Sequence, residues 1–161
     1  MYHFVGVGDF VIVDGIDDIV KTFGLGSCVA LIIYCPVRKI LGMSHIALPD
    51  SSIDPNKAMI KPGYFADTAF CQMMQEFVLR GCDKNNLQVQ LYGGAQAVWD
   101  KDIFNIGSRN LAALEERLLC YGLGYNKTDT GGHYSRTVEV TAATGRVNLI
   151  SHSLAQWRKN K

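Results

Sequence analysis

The chain reads VALIIY at residues 29–34 and ILGMSHIAL at residues 40–48. Both segments are rich in the apolar and β-branched side chains that favour strands. Only residues 35–39 separate them, and Arg38 and Lys39 mark a bend. Two strands this close together pair most easily as an antiparallel hairpin. This hairpin is the predicted centre of the fold.

A glycine-rich segment leads into the first strand of the hairpin. Residues 24–28 read Gly-Leu-Gly-Ser-Cys, and glycines let the backbone turn sharply and let a substrate approach closely. They also allow successive N–H groups to point into one concavity, which suits an oxyanion. Because a rigid strand follows the loop, Cys28 would be held in a fixed position.

Further strands and two helices are predicted on either side of the hairpin. Apolar runs bounded by turn residues predict short strands at 10–13, 19–23, 87–92, 137–140 and 146–150. Apolar residues at helical spacing predict helices over residues 64–79 and 109–121, the second with Ser108 as N-cap and Gly122 as its stop. Residues 49–62 are punctuated by prolines and predict a loop. Strands outnumber helices without regular βα alternation, so we expect an α+β fold of sheet layers covered by two helices.

The composition is that of an ordinary globular domain. The 161 residues are 48% hydrophobic and 19% charged with a formal net charge of +1, and the lack of a basic excess argues against a nucleic-acid binder. The length predicts one domain over residues 1–161, of which 151–161 form a C-terminal tail. No apolar stretch reaches the roughly 18 residues that a membrane span needs. With no secretory signal and an odd number of cysteines, we expect a reduced, cytoplasmic protein.

Cysteine is the strongest candidate nucleophile, because a thiolate reacts well even when little of it is ionised. Cys28 stands out by its position between a glycine-rich loop and a strand. We interpret the remaining thiols as buried small hydrophobes, namely Cys35, Cys71, Cys82 and Cys120. We therefore expect Cys28 to carry the most reactive thiol near neutral pH. No paired spacing such as C-x-x-C predicts a metal site.

A cysteine nucleophile needs a base, and two histidines qualify. His45 lies on the second strand of the hairpin, within reach of Cys28, although it could equally be a satisfied core histidine. His133 follows a Gly-Gly pair and is the second candidate. No carboxylate is an evident third partner, but a hydroxyl could orient the imidazole, and that of Thr22 is the nearest in sequence. The residues alone leave both histidines open.

Six segments occur in the chain in a characteristic order. They are VGVG at 5–8, TFGLGSCV at 22–29, GMSHIALP at 42–49, YGGAQ at 92–96, IGSRN at 106–110, and DTGG at 129–132 with Arg136. At these positions the sequence resembles the chemoreceptor glutamine deamidase family, CheD. Each segment alone is a weak signal, whereas six in order, covering almost the whole chain, are specific.

The resemblance implies which residues do the chemistry. The family's catalytic cysteine, histidine and threonine fall on Cys28, His45 and Thr22, which selects the first of the two candidate histidines. Independently of the resemblance, the glycine-rich loop predicts Gly26 and Ser27, just before the nucleophile, as substrate-binding residues. The resemblance also implies a fold like that of cysteine deamidase toxins, with a β-sheet sandwich flanked by helices.

The activity that the resemblance implies is hydrolysis of specific glutamine side-chain amides on bacterial chemoreceptors. The products would be glutamate and ammonia, formed through a cysteine thioester without a metal or organic cofactor. The implied partners are methyl-accepting chemotaxis receptors, as substrates, and a CheC-type chemotaxis phosphatase. Two alternatives belong to other classes: a non-catalytic regulator that binds a receptor or a phosphatase, and a cysteine hydrolase of a different amide or ester.

Overall fold

The computed structural model describes residues 1–96 and 104–154, which form two β-sheets and three α-helices. The strands are β1 (Tyr2–Phe4), β2 (Phe10–Val13), β3 (Ile19–Leu25), β4 (Val29–Cys35), β5 (Ile40–Ile46), β6 (Gln88–Gly93), β7 (Asn126–Thr130), β8 (Tyr134–Thr141) and β9 (Val147–Ser153). The helices are α1 (Pro55–Ile60), α2 (Ala66–Leu79) and α3 (Ile106–Tyr121).

The predicted hairpin forms the middle of the larger sheet. That sheet has the strand order β2-β5-β4-β6-β7, and the smaller one has the order β1-β3-β8-β9. β4 and β5 are antiparallel, with Val29 opposite Ile46 and Cys35 opposite Ile40. Every residue of both strands is buried. This burial explains why the segments are almost continuously apolar and do not alternate, since both faces of the sheet are covered.

The larger sheet lies between the helices and the smaller sheet. One of its faces packs against the apolar stripes of α2 and α3, which supply Phe70, Met73, Phe77, Leu114 and Leu118. The other face packs against side chains of β3 and β8, which supply Val20, Leu25, Val138 and Val140. Each such buried apolar side chain contributes about 1.5–3 kcal/mol relative to an exposed one. The predicted α+β arrangement of sheet layers covered by two helices is confirmed, and the likeness to deamidase toxins stays a prediction.

The second long helix begins earlier than predicted. α3 starts at Ile106, so Ser108 lies within the helix and is not its N-cap. The N-cap is Asn105, in the left-handed region at φ 52°. The predicted stop is correct, because Gly122 has φ 75° and its N–H donates to the carbonyls of Leu118 and Leu119.

The segment predicted as a loop at residues 49–62 is partly helical. It contains a 3-10 turn at Ser51–Ile53 and α1. The carboxylate of Asp54 caps α1 by accepting from the N–H of Lys57. Proline at the first position of a helix is favourable, because its missing N–H would have no partner there. The prolines that predicted a loop thus begin a helix instead.

Two strands of the structure were not predicted from the sequence. β1 pairs in parallel with β3, and β7 pairs in parallel with β6. β7 reads NKTDT, in which no apolar residue alternates with a polar one, so periodicity could not identify it. Residues 151–153 of the predicted tail continue β9, while 155–161 lie outside the described residues. In the part of the chain that is described, no helix is long and apolar enough to cross a membrane.

Candidate active site

The candidate nucleophile lies at the open end of the β4–β5 hairpin. The last pair of the ladder joins Val29 to Ile46, and Cys28 comes one residue before it. His45 stands opposite Ala30. Opposing residues share a face of a sheet, as do residues two apart on one strand. Cys28 and His45 are therefore diagonal neighbours with Cα atoms about 7–8 Å apart, on the face turned toward the smaller sheet.

Thr22 reaches the histidine from the facing sheet. Its side chain is fully buried on β3, and its Oγ1 lies 2.6 Å from the carbonyl oxygen of Val5 and 2.7 Å from Nδ1 of His45. A carbonyl oxygen can only accept, so the single hydroxyl proton is donated to Val5. The hydroxyl oxygen must then accept a hydrogen bond from Nδ1–H of the imidazole. This assignment places the proton of the neutral ring on Nδ1 and leaves Nε2 unprotonated.

Burial keeps both members of the candidate pair uncharged. Nε2 of His45 is buried and has no hydrogen-bond partner among the described residues. Desolvation lowers the pKa of His45 to about 4, opposed by the carboxylate of Asp9. Burial likewise raises the pKa of the Cys28 thiol to about 11. At neutral pH the resting pair is a thiol beside a neutral imidazole, which can remove the thiol proton during attack on a substrate.

Two of the other cysteines are not buried as predicted. Cys35 and Cys82 are buried, but Cys71 and Cys120 are exposed. They lie on the outer faces of α2 and α3 and line a groove of about 600 Å³ between these helices. The structure therefore argues against the expectation that Cys28 has the most reactive thiol at neutral pH in the resting protein. Two other thiols are more accessible, and the pKa of Cys28 is raised.

The second candidate histidine has a different environment. His133 is exposed, and its Nδ1 donates to the carbonyl oxygen of Gln96 at 2.9 Å. Among the described residues, it has no buried hydroxyl partner comparable with the one that Thr22 provides to His45. The structure thus brings His45, and not His133, into one buried cluster with Thr22.

The glycine-rich loop is attached to the segment that follows β6. The carbonyl of Gly26 accepts from the N–H of Ala95, and that of Cys28 accepts from the N–H of Gly94, both at 2.8 Å. The N–H of Gly26 is occupied too, since it donates to the carbonyl of Gly24 at 3.0 Å. Gly26 therefore has no free N–H to offer a substrate. Its contribution would be to let the substrate approach the loop closely.

The space next to Gly26 is open, and two N–H groups of the loop are available to bind a substrate. Apart from its two neighbours in the chain, no described residue lies within 4 Å of the position that a Cβ would take on Gly26. Ser27 is exposed. Among the described residues, the N–H groups of Ser27 and Cys28 donate no backbone hydrogen bond outside the regular strands and helices. The loop can therefore present donors to an oxyanion in the way the sequence predicts.

Reasoning from the sequence missed one residue of this region. Asn110, on the first turns of α3, is fully buried. Its Nδ2 lies 3.0 Å from the carbonyl oxygen of Ser27 and 3.1 Å from that of Ala47. Its place in the IGSRN segment was the only signal, and that signal did not specify a role.

The arrangement suits nucleophilic attack on a carbonyl carbon. It combines a thiol, an imidazole with an unprotonated nitrogen, an orienting hydroxyl, and backbone donors at the loop. Within residues 1–96 and 104–154, no group of three or more His, Cys, Asp or Glu side chains is placed to hold a metal ion.

Comparison with known proteins gives consistent matches over most of the chain. The sequence model of a family described as CheD chemotactic sensory transduction matches residues 47–151. A probable chemoreceptor glutamine deamidase CheD of Syntrophotalea carbinolica is 40% identical over 155 residues, which cover 95% of this chain and 96% of the relative. A protein of the same description from Caldanaerobacter subterraneus is 40% identical over 142 residues, with 84% and 86% covered. The chemoreceptor glutamine deamidase CheD of Thermotoga maritima is 35% identical over 147 residues, with 91% and 90% covered.

Proposed function

Because this chain belongs to the CheD family, we propose that it is a chemoreceptor glutamine deamidase. In this role it is a protein-glutamine glutaminase, which hydrolyses specific glutamine side-chain amides of bacterial chemoreceptors to glutamate. The observation that carries the proposal is the buried hydrogen bond between Thr22 and His45, on the face of the sandwich that Cys28 also occupies. It supports a cysteine and histidine pair in which a hydroxyl holds the base.

The first half of the reaction forms a thioester. Sγ of Cys28 attacks the carboxamide carbon of the glutamine, and Nε2 of His45 takes the thiol proton. The carbonyl oxygen of the amide becomes an oxyanion, which the N–H groups of Ser27 and Cys28 stabilise. When the tetrahedral intermediate collapses, the C–N bond breaks and the imidazolium donates its proton to the departing nitrogen, which leaves as ammonia.

The second half of the reaction regenerates the thiol. His45 removes a proton from water, whose oxygen attacks the thioester carbon. The C–S bond breaks, the imidazolium returns its proton to Cys28, and glutamate is released. Throughout both halves, Thr22 accepts from Nδ1–H, so the ring keeps Nε2 directed to the reacting atoms. The sum is one amide and one water consumed, and one carboxylate and one ammonium formed.

The product alters the electrostatics of the receptor. Each converted glutamine adds a negative charge to a signalling helix, and like charges on neighbouring helical positions destabilise by about 0.2–0.5 kcal/mol per pair. Several such pairs in one bundle shift the balance between two signalling states. The open space over Gly26 and the exposure of Ser27 support the binding of a protruding side chain from a helix.

We further propose that the protein acts in the cytoplasm and binds a CheC-type chemotaxis phosphatase at the receptor-binding surface. A partner segment that covers Cys28 without offering a glutamine would compete with the receptor. The segment at 49–62, which follows the His45 strand, is the candidate surface for both. Receptor deamidation measured against phosphatase concentration tests this, since competitive inhibition must be relieved by added receptor. Inhibition that added receptor cannot relieve contradicts a shared surface.

Mass spectrometry of a co-expressed receptor tests the proposed activity. Specific glutamines should gain about one dalton, the mass change of conversion from amide to acid. Cys28→Ala and His45→Ala should abolish the change, while His133→Ala, a matched histidine control, should retain it. Hydrolysis of free glutamine or of small esters with no change in the receptor would indicate a different cysteine hydrolase. Binding to the receptor with no mass change would indicate a non-catalytic regulator.

A further inference from the structure

We propose that Asn110 is a positioning residue for the deamidation, because it orients the oxyanion-binding N–H of Cys28 and holds the strand of His45 beside it. The inference rests on the proposed function and adds a residue to its machinery. Asn110 lies 83 positions from the loop in sequence, on a different element. Both of its hydrogen bonds are to backbone carbonyls, so it acts through the backbone.

The amide of Asn110 joins the two strands where their own pairing stops. The ladder between β4 and β5 ends at Val29 and Ile46. Just beyond it, the single Nδ2 lies 3.0 Å from the carbonyl of Ser27 and 3.1 Å from the carbonyl of Ala47. An amide nitrogen has two hydrogens, so both bonds can form at once. Asn110 thereby connects the two strands at the site, where their own backbone pairing has ended.

The bond to Ser27 fixes the direction of a neighbouring donor. The peptide between Ser27 and Cys28 is planar and trans, so its C=O and N–H point in opposite directions. Anchoring the carbonyl on Asn110 therefore directs the N–H of Cys28 away from α3, where an oxyanion can accept from it. A donor held in advance costs no reorganisation when charge develops.

Two glycines allow the helix to come this close. A Cβ on Gly107 would lie 2.5 Å from the carbonyl oxygens of Gly94 and Ala95. A Cβ on Gly94 would lie 2.6 Å from Cδ1 of Leu111. The first turn of α3 is thus in direct contact with the segment that also donates to Gly26 and Cys28. Because a side chain at Gly107 would meet two backbone carbonyls, it would move the start of α3, and Asn110 with it, away from the loop.

The burial of Asn110 is not explained by packing alone. The side chain is fully buried, and its Oδ1 has no hydrogen-bond partner among the described residues. A buried amide with an unsatisfied oxygen destabilises a fold compared with an apolar side chain of the same size. Two positions on the same buried face of α3, Leu114 and Leu118, are apolar. The hydrogen bonds that the amide donates to Ser27 and Ala47 therefore account for a polar side chain at this buried position.

Steady-state kinetics on a chemoreceptor substrate tests the inference. Asn110→Ala should lower kcat about 10- to 100-fold, which is less than the roughly 100- to 1,000-fold of losing an oxyanion donor outright, because the N–H of Cys28 remains and only its orientation is lost. KM should stay within about twofold because no substrate contact is lost. Leu114→Ala, which removes a buried side chain one turn along α3, is the matched control. It should lower Tm at least as much and leave kcat within about threefold.

A second variant supplies a readout that a purely structural role would not change. In Asn110→Asp the new carboxyl can donate a hydrogen bond only when protonated. Its kcat relative to the wild type should therefore rise as the pH falls, whereas the relative kcat of Asn110→Ala should stay flat. A flat ratio for Asn110→Asp contradicts the donor role. If Asn110→Ala does not fold, Asn110→Leu, which keeps a similar side-chain volume but has no hydrogen-bond donor, replaces it in the comparison, and wild-type kcat in that variant overturns the inference.

Cys28→Ala in the same assay separates this inference from the proposed function. If Cys28→Ala is inactive while Asn110→Ala keeps kcat within about twofold of the wild type, positioning by Asn110 is refuted and the deamidase proposal stands. If Cys28→Ala keeps its activity, the proposed function fails and the inference fails with it. An equal loss of kcat in Asn110→Ala and Leu114→Ala at equal Tm would assign the effect to stability.

Discussion

Replacement of Thr22 by valine tests the assignment of the histidine tautomer. Valine has nearly the shape of threonine but lacks the hydroxyl, so the fully buried position on β3 stays filled. The change removes the 2.6 Å bond to the carbonyl of Val5 and the 2.7 Å bond to Nδ1 of His45. Both partners then stay buried without a partner. The ring also loses the acceptor that keeps its proton on Nδ1 and its Nε2 free.

The size of the effect follows from these two bonds. A buried group left without its partner costs about 1–3 kcal/mol, so the two groups together cost about 2–6 kcal/mol. Because single substitutions that cost more than about 4 kcal/mol are exceptional, we expect Thr22→Val to lower the free energy of unfolding by about 2–4 kcal/mol. For a chain of this length, at about 2–4 °C per kcal/mol, that corresponds to a fall in Tm of about 4–16 °C. Loss of tautomer and orientation should raise the activation free energy by about 1.4–2.8 kcal/mol, which is about 10- to 100-fold in kcat.

Thr22→Ser keeps the hydroxyl and serves as the control. Its kcat should stay within a few-fold of the wild type, although it removes a buried methyl group and lowers Tm. Deamidation rates on the receptor and thermal unfolding of all three proteins provide the measurements. If Thr22→Val keeps wild-type kcat below its Tm, the hydroxyl does not orient the base. Equal losses of kcat in both variants would assign the effect to packing.

Three further predictions concern the same region. The pKa of His45 is lowered to about 4, and the imidazole must be neutral to accept a proton, so kcat/KM should fall only as the pH drops through about 4. A fall of kcat/KM near pH 6.5 in the pH profile would contradict this. Because the pKa of the Cys28 thiol is raised to about 11, limited alkylation at pH 7 followed by peptide mapping should modify Cys71 and Cys120 first, and prior labelling of Cys28 would indicate a resting ion pair. Gly93→Ala should lower both kcat and Tm, because Gly93 has φ 106° and an added Cβ would collide with the carbonyl oxygen of Cys28. The same kinetic and thermal measurements apply, and wild-type values of both would show that the loop can shift without loss.

Much of the framework follows from local patterns in the sequence. The continuous apolar runs of the hairpin and the apolar stripe of α2 are local features with clear periods, and both elements form where they were predicted. A short connection brings strands together because closing a short loop costs little entropy. The sequence therefore places Cys28 and His45 at the open end of one hairpin without any knowledge of the other layers.

Other features depend on contacts between residues that are far apart in sequence. The hydroxyl of Thr22 meets His45 only because the two sheets pack face to face, and that contact determines which nitrogen carries the proton. The exposure of Cys71 and Cys120 depends on which helix faces meet the sheet. β7 forms without apolar alternation because β6 offers its edge as a template.

The contacts of Asn110 show most clearly the difference between what local sequence predicts and what packing decides. Its sequence neighbours give no sign that its amide reaches the carbonyls of Ser27 and Ala47, 83 and 63 positions away. That contact requires α3 to approach the loop closely, which the glycines at 94 and 107 permit. The sequence alone predicts the hairpin, α2 and the candidate nucleophile, because propensity and periodicity act over a few residues. Only the packing of the sheets and helices determines which side chains form hydrogen bonds, which nitrogen of His45 carries the proton and which cysteines are buried. These properties depend on which surfaces, distant in sequence, come together.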